Sequence, residues 1–90
     1  MDIVKVSARS MPKLVAGAIA AIIREGKKAE IQAVGAGAAN QAIKSVAIAR
    51  TYLNDEQVDL ICRPGFTEVM IDDVSKTAIQ LIVEAQQKFN

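Results

Sequence analysis

The chain has 90 residues, of which 51% are hydrophobic and 23% charged, and its formal net charge is +1. This length and composition are typical of one small globular domain and exclude a disordered segment, so we expect a single domain over residues 1–90. Because the chain has no histidine, a Ser-His-Asp or Cys-His catalytic set is excluded and a zinc site is disfavoured. We therefore expect no enzymatic activity, cofactor or metal.

The first predicted unit is a strand followed by a helix. Ile3 to Val6 form a short apolar stretch that predicts a strand. Ser10 is a favourable N-cap, and Pro12 fits the first turn of a helix that ends near Gly26. The i, i+3, i+4, i+7 spacing predicts four core-facing side chains in this helix: Val15, Ala18, Ile19 and Ile22.

The second unit repeats this pattern, with a strand over residues 28–34, a glycine turn, and a helix over residues 38–53. At 100° per residue, one face of that helix carries Ala42, Val46, Ala49 and Leu53. We expect this face to pack on the core.

The last third of the chain predicts a long hairpin. Residues 54–56 form a polar connection, and residues 58–72 are extended. Pro64 and Gly65 interrupt this stretch and predict a bulge or bend on an edge strand. Residues 72–76 are predicted as the turn and residues 77–84 as the last strand.

The resulting order is β-α-β-α-β-β. A right-handed crossover in each βαβ half places both helices on one face of a mixed four-stranded sheet. We predict an α/β fold, a two-layer sandwich.

Two features indicate a place inside the cell. Cys62 is the only cysteine, so no internal disulfide can form, and its apolar surroundings predict a buried structural thiol in a reducing cytosol. No apolar run approaches the ~20 residues of a membrane span, and the start of the chain lacks the pattern of a secretory signal. We expect a cytoplasmic protein without a membrane partner.

Gly35 and Gly37 lie where the second strand passes into the second helix, at a point suited to phosphate. Glycine lets the backbone approach a ligand closely, and the first N–H groups of a helix are unpaired. Asn40, Gln41 and Lys44 follow in the next turns and are candidate contacts. The turn matches neither the dinucleotide-binding fingerprint nor the P-loop. Tight packing of strand against helix is the alternative explanation.

The first unit has a comparable junction, which carries Ser7, Arg9, Ser10 and Lys13. Loops that follow parallel strands lie at the same end of a sheet, so the two junctions should be neighbours. Two helix N-termini and three cations would then share one edge, which favours binding of a polyanion such as nucleic acid.

The charge is divided unevenly along the chain. Residues 1–50 hold eight basic and three acidic side chains, a balance of +5, and residues 51–90 hold three basic and seven acidic ones, a balance of −4. This asymmetry indicates a side that faces a polyanion, although clustered charges on a solvated surface would give the same pattern.

Ile48 and Tyr52 lie on the polar side of the second helix. An apolar pair at i, i+4 stabilises a helix by itself, and it also suits a contact between subunits. Both explanations stay open, and a homodimer is expected under the second.

Several segments carry a resemblance to a known family. They are KVSA (5–8), VAGA (15–18), AEIQAVGAGA (29–38), NQA (40–42), VAIAR (46–50), VDLIC (58–62) and TAIQLIVE (77–84). Together they resemble the stage V sporulation protein S family over nearly the whole chain. RPGF (63–66) is similar to that family's proline-aromatic kink, and the turn at residues 73–76 departs from its more glycine- and glutamate-containing form. This resemblance implies a bacterial, cytoplasmic protein linked to sporulation and septation, with a regulatory role.

More distantly, IQAVG (31–35), QAI (41–43) and VA (46–47) look like the Alba superfamily of chromatin and RNA-binding proteins. That likeness implies an Alba-like β-α-β-α-β-β sandwich, a dimer, and contacts to nucleic acid from the loops before both helices and from the terminal hairpin. The implied contact residues are Lys13, Gly35, Gly37, Asn40, Gln41 and Lys44. The hairpin tip here is more acidic than in Alba proteins.

We therefore expect a small dimeric regulator that binds DNA or RNA through its phosphates. Few phosphate contacts imply modest, salt-sensitive affinity, and few aromatic side chains imply weak sequence specificity. The alternatives are a protein-interaction module that uses Ile48, Tyr52 and the edge strand at Pro64 without nucleic acid, and a site for a small phosphorylated ligand at the glycine turn.

Overall fold

The computed structural model describes residues 1–87. Its elements are β1 (Asp2–Val6), α1 (Pro12–Arg24), β2 (Ala29–Ala33), α2 (Ala36–Tyr52), a short 3₁₀ turn (Asn54–Glu56), β3 (Val58–Ile71) and β4 (Val74–Gln87). The strands form one sheet in the order β1-β2-β4-β3, with β1 and β2 parallel and the other pairs antiparallel. The predicted element order and the two-layer α/β sandwich are confirmed. Residues 88–90 of the predicted domain lie outside the described residues.

The core is aliphatic and lies between the sheet and the two helices. Ile31 at the centre of β2 is fully buried, and its register partners are Val4 on β1 and Leu81 on β4. Because side chains alternate along a strand, these three side chains project to the face that the helices cover. Glu30 and Gln32 point to the opposite face of the sheet.

The buried stripe of α1 differs in part from the predicted one. Ile19 and Ile22 are buried as predicted and Val15 is half-buried, but Ala18 is exposed. The other buried side chains of this helix are Ala16, Ala20 and Ile23. α1 contacts α2 more extensively than it contacts any strand. Its buried stripe is therefore turned toward α2, which the periodicity of one helix does not reveal.

α2 presents small side chains to α1. Ala42, Ala49 and Leu53 are buried as predicted, and Val46 is half-buried. Ser45 is also fully buried, and its hydroxyl donates a hydrogen bond of 2.7 Å to the Gln41 carbonyl within the helix. This bond satisfies the one buried polar side chain of the core, so the close approach of the two helices carries no unpaired donor there.

β3 and β4 form a hairpin whose turn is shorter than predicted. Asp72 and Asp73 have φ of 50° and 63°, and the flanking residues Ile71 and Val74 are paired. Positive φ at both central residues is the mark of the two-residue type I′ turn, whose twist matches that of the strands. The predicted turn over residues 72–76 is therefore wrong, because β4 already begins at Val74.

Pro64 causes no bulge. The register between β3 and β4 runs without an inserted residue, with Pro64 opposite Leu81 and Gly65 opposite Gln80. Ile71 and Val74 flank a two-residue turn and so form a hydrogen-bonded pair, and such pairs alternate along the ladder. Pro64 lies an odd number of residues from Ile71, at a non-hydrogen-bonded position. Its missing N–H therefore faces the free edge, so the edge-strand prediction is confirmed and the bulge is wrong.

Cys62 is partly buried rather than fully buried, and packs against the core. Burial raises the pKa of its thiol, which disfavours the reactive thiolate. Among residues 1–87, no helix has the length and apolar character needed to cross a membrane, and no group of three or more metal-ligating side chains is found.

Glu84 on the uncovered face of the sheet joins two cations. Its side chain is 16% exposed and accepts hydrogen bonds from Lys28, at 3.1 Å, and from Arg63. These two hydrogen bonds hold the pKa of Glu84 below its ordinary value, and the bond from Lys28 has the larger effect. A lowered folded-state pKa means that the ionised Glu84 carboxylate stabilises the fold fully at pH values above its unfolded pKa of about 4.3. This stabilisation is lost as the pH falls through the folded-state pKa.

We therefore expect Glu84→Gln to lower the melting temperature more near neutral pH than at an acidic pH below the folded-state pKa of Glu84, because the parental carboxylate loses its stabilising charge as the pH falls through that lowered pKa. Thermal unfolding followed by circular dichroism at both pH values measures this difference. Glu25→Gln is the control, because Glu25 forms an exposed pair with Lys27 at 3.6 Å that should contribute little at either pH. An equal loss at both pH values would contradict the role of the Glu84 charge.

Candidate nucleic-acid interface

The loop between β1 and α1 is held by its own two serines. The Ser7 backbone N–H donates to the Ser10 hydroxyl at 2.9 Å, and the Arg9 N–H donates to the Ser7 hydroxyl at 3.2 Å. The predicted Ser10 cap is wrong, because Met11 occupies the N-cap position of α1 and no side chain caps the helix. The Ser10 hydroxyl instead stabilises the loop that carries Arg9, and the first turn of α1 keeps its N–H groups free of a side-chain cap.

The loop between β2 and α2 lies directly against the first loop. Gly35 has φ of 88° and ψ of 162°, a conformation that side-chain-bearing residues rarely adopt. A Cβ on Gly37 would lie only 3.0 Å from the Ala8 Cβ. The prediction that the two junctions are neighbours is confirmed, and the absence of a side chain at Gly37 allows their close approach.

Gln41 links the same two junctions by a hydrogen bond. Its side-chain Nε2 donates to the Ser10 carbonyl at 3.0 Å, although the two residues are far apart in sequence. Gln41 was predicted as a contact to nucleic acid, and its amide nitrogen is here engaged within the protein. Its visible role is to hold α2 against the start of α1.

The cations of both junctions surround one shallow groove between α1 and α2, which we call the α1–α2 groove. Its volume is about 650 Å³, and it is lined by Arg9, Ser10, Met11, Pro12, Lys13, Gln41, Lys44, Ala47 and Ile48. Of the predicted site residues, Arg9, Lys13, Gln41 and Lys44 meet here. Gly35, Gly37 and Asn40 are exposed at the same junction but outside the groove.

Ile48 also lines this groove. It was predicted with Tyr52 as a subunit contact, and it is half-buried in the groove wall, whereas Tyr52 is 43% exposed near the end of α2. Met11 and Pro12 complete the apolar wall, and sequence reasoning missed both as site residues. The spacing of Lys44, Ala47 and Ile48 at i, i+3, i+4 was a signal, because it places one cation and two apolar side chains on a single helix face.

Ion pairing divides the cations of the molecule into two sets. Four of the paired cations lie at the opposite end from the junctions: Arg24 pairs with Glu56, Lys27 with Glu25, Lys28 with Glu84, and Arg50 with Asp59. In the part of the chain that the structure describes, the basic side chains that form no ion pair are Lys5, Arg9, Lys13, Lys44 and Lys76. Among the described residues, the junction end therefore carries several basic side chains that form no ion pair.

The hairpin passes beyond this end of the sheet. The last pair between β2 and β4 joins Ala33 and Ile79, so the two strands continue past the junctions as an arm over residues 67–78. Between the arm and the ends of β1 and β2 lies a second depression of about 320 Å³, which we call the hairpin cleft. It is lined by Lys5, Val6, Ser7, Ala8, Gln32, Val34, Val69, Met70 and Ile71.

A family model matches nearly all of the described residues. The model of stage V sporulation protein S (SpoVS) matches residues 2–86 of the chain. This range covers both junctions, both helices, the sheet and the arm, so the match concerns the whole described domain and not one motif. The resemblance identified from sequence is confirmed, and the chain belongs to the stage V sporulation protein S family.

Proposed function

We propose that this protein binds nucleic acid by contacting phosphates along the junction end of the sheet, and that it does so as a cytoplasmic regulator. The observation that carries the proposal is the division of the cations. Arg9, Lys13 and Lys44 lie around one groove without an ion pair to any other described residue, whereas the cations at the opposite end are paired. An uncompensated group of cations attracts a polyanion and speeds its encounter with the protein.

Family membership supports the regulatory part of the proposal. The family consists of small sporulation-related regulatory proteins rather than of a known class of enzymes. Binding to nucleic acid is a direct way in which such a small protein can regulate gene expression. The available phosphate contacts are few, so the affinity should be modest at physiological salt.

The test is a salt titration of binding to labelled DNA and RNA, followed by fluorescence anisotropy. With three or four phosphate contacts, the logarithm of the association constant should fall with the logarithm of salt concentration with a slope of about −2 to −4. DNA and RNA are measured side by side, because phosphate contacts alone do not separate them. Absence of binding to both at low salt would overturn the proposal, and so would affinity that does not change with salt.

A second candidate function, self-association, rests on Tyr52. This side chain is exposed near the end of α2, where an aromatic ring suits contact with a second copy of the chain. Pro64 removes a donor from the free edge of β3, which makes strand addition there less favourable than a helix contact. We propose a homodimer through α2.

Tyr52→Ala is expected to shift such a dimer toward monomer in sedimentation velocity, with the fold unchanged. Ile43→Ala, an exposed apolar position earlier on α2, is the control. A parent protein that is monomeric at high concentration would contradict this second function without affecting the first.

A further inference from the structure

We propose that the nucleic acid bound at this edge is single-stranded, and that its bases enter the α1–α2 groove and the hairpin cleft. This inference rests on the proposed function and names the form of nucleic acid that the site takes. The two depressions lie on either side of one loop, since Ser7 and Ala8 line the hairpin cleft while Arg9 and Ser10 line the α1–α2 groove. A strand that crosses this loop would reach both.

The chemistry of the α1–α2 groove suits a nucleotide better than it suits a phosphate alone. Met11, Pro12 and Ile48 form an apolar wall, and Lys13 and Lys44 supply positive charge beside it. The volume of the groove, about 650 Å³, lies within the range of roughly 300–1,000 Å³ found for small-molecule sites. A base that occupies the apolar wall would place its phosphate near these cations.

Each depression has one exposed methionine in its wall. Met11 in the α1–α2 groove is 63% exposed, and Met70 in the hairpin cleft is 65% exposed. The thioether of methionine is flexible and polarisable and makes favourable contacts with aromatic rings. Unstacked bases offer such rings, whereas in a duplex the ring faces are stacked on each other. A duplex would therefore use the cations and leave both apolar walls empty.

The acidic tip of the arm disfavours the second strand of a duplex. Asp72 and Asp73 are both exposed at the tip, and no ion pair joins either of them to another described residue. Lys5 is the cation of the hairpin cleft, and Lys76 lies nearby on the arm. Like charges repel, so the tip disfavours a complementary strand that wraps around the arm, whereas one strand can keep its phosphates toward Lys5 and Arg9.

Recognition of the base sequence should be weak, because the glutamine amides of both depressions are already engaged. Gln41 Nε2 donates to the Ser10 carbonyl at 3.0 Å, and Gln32 Nε2 donates to Glu30 at 2.7 Å. Because each of these amides is held in place by a hydrogen bond within the protein, contact of bases with the apolar walls should dominate, and such contact discriminates poorly between bases.

The test compares three labelled probes of equal length at one low salt concentration by fluorescence anisotropy: oligothymidine, an abasic single-stranded oligonucleotide, and a mixed-sequence duplex. We expect oligothymidine to bind about tenfold more tightly than the abasic strand, which has the same phosphates and no bases. We also expect it to bind more tightly than the duplex. Equal affinity for oligothymidine and the abasic strand would overturn the inference while leaving the proposed function in place. Failure of all three probes to bind would overturn both.

Substitutions of the two methionines test whether the bases contact the walls of the two depressions. The combination of Met11→Gln and Met70→Gln should weaken binding of oligothymidine about tenfold and leave binding of the abasic strand unchanged. Leu14→Gln is the matched control, because Leu14 lies on α1, is 69% exposed and lines neither depression. If Leu14→Gln weakens oligothymidine binding as much as the methionine variants do, the assignment of bases to the two depressions is wrong.

Discussion

The combination of Lys13→Glu and Lys44→Glu is expected to weaken binding to nucleic acid at least about tenfold, which corresponds to about 1.4 kcal/mol. Both lysines line the α1–α2 groove, and neither forms an ion pair with a described residue, so reversal of their charge breaks no ion pair among the described residues. Each change removes an attraction for phosphate and adds a repulsion. The slope of the salt titration should become less steep by about 1.4–1.8, as expected when two contacts are lost.

The matched comparison for this prediction is Lys27→Glu, which changes the net charge as much as Lys13→Glu or Lys44→Glu alone. Lys27 lies at the opposite end of the sheet and pairs with Glu25. We expect it to bind like the parent, whereas each single reversal in the groove weakens binding. Circular dichroism confirms that the variants are folded. If Lys27→Glu weakens binding as much as Lys44→Glu does, net charge and not the junction end governs the interaction.

Replacing Gly35 by alanine is expected to lower the free energy of unfolding by about 1–3 kcal/mol. Gly35 has φ of 88° and ψ of 162°, which lies in a region that essentially only glycine occupies. A Cβ at Gly35 would meet no atom within 4 Å, so the whole cost is conformational and comes from the backbone. Urea unfolding at equilibrium measures it.

Gly17→Ala is the matched control and should act in the opposite direction. Gly17 lies in the middle of α1, is exposed, and also has no atom within 4 Å of an added Cβ. Alanine is the better helix former there, so we expect the free energy of unfolding to rise by about 0.5–1 kcal/mol. A Gly35→Ala variant that is as stable as the parent would show that the junction adapts to an ordinary conformation, and that Gly35 is not needed for the fold.

Sequence periodicity was enough to predict the elements because each depends on local spacing. The order of the elements and the right-handed crossover rule then gave the sandwich. The errors occurred where the residue type did not determine the local structure. Ser10 is a good N-cap by type, but its hydroxyl accepts the Ser7 N–H, and the helix begins after Met11. Asp72 and Asp73 lack the glycine that usually marks a type I′ turn, so the sequence offered no sign of its short length.

The site was predictable in part. Parallel strands bring their following loops to one end, and this topological rule placed Arg9, Lys13 and Lys44 together. The apolar wall was not predictable, because Met11 precedes α1 and Ile48 lies on α2, so the two line one groove only when α1 and α2 pack. Nor do local patterns show that Gln41 bonds to Ser10. Such contacts depend on how the two helices are placed, which no single segment determines.

The proline in β3 has a consequence for how the protein behaves when it is concentrated. An edge strand of 14 residues would offer a long unpaired row of backbone groups on which strands of other molecules could polymerise. Pro64 divides that row into two short stretches, and a fibril that grew along the edge would lose a rung of its ladder in every molecule. Pro64 therefore makes the β3 edge of the sheet a poorer template for amyloid growth.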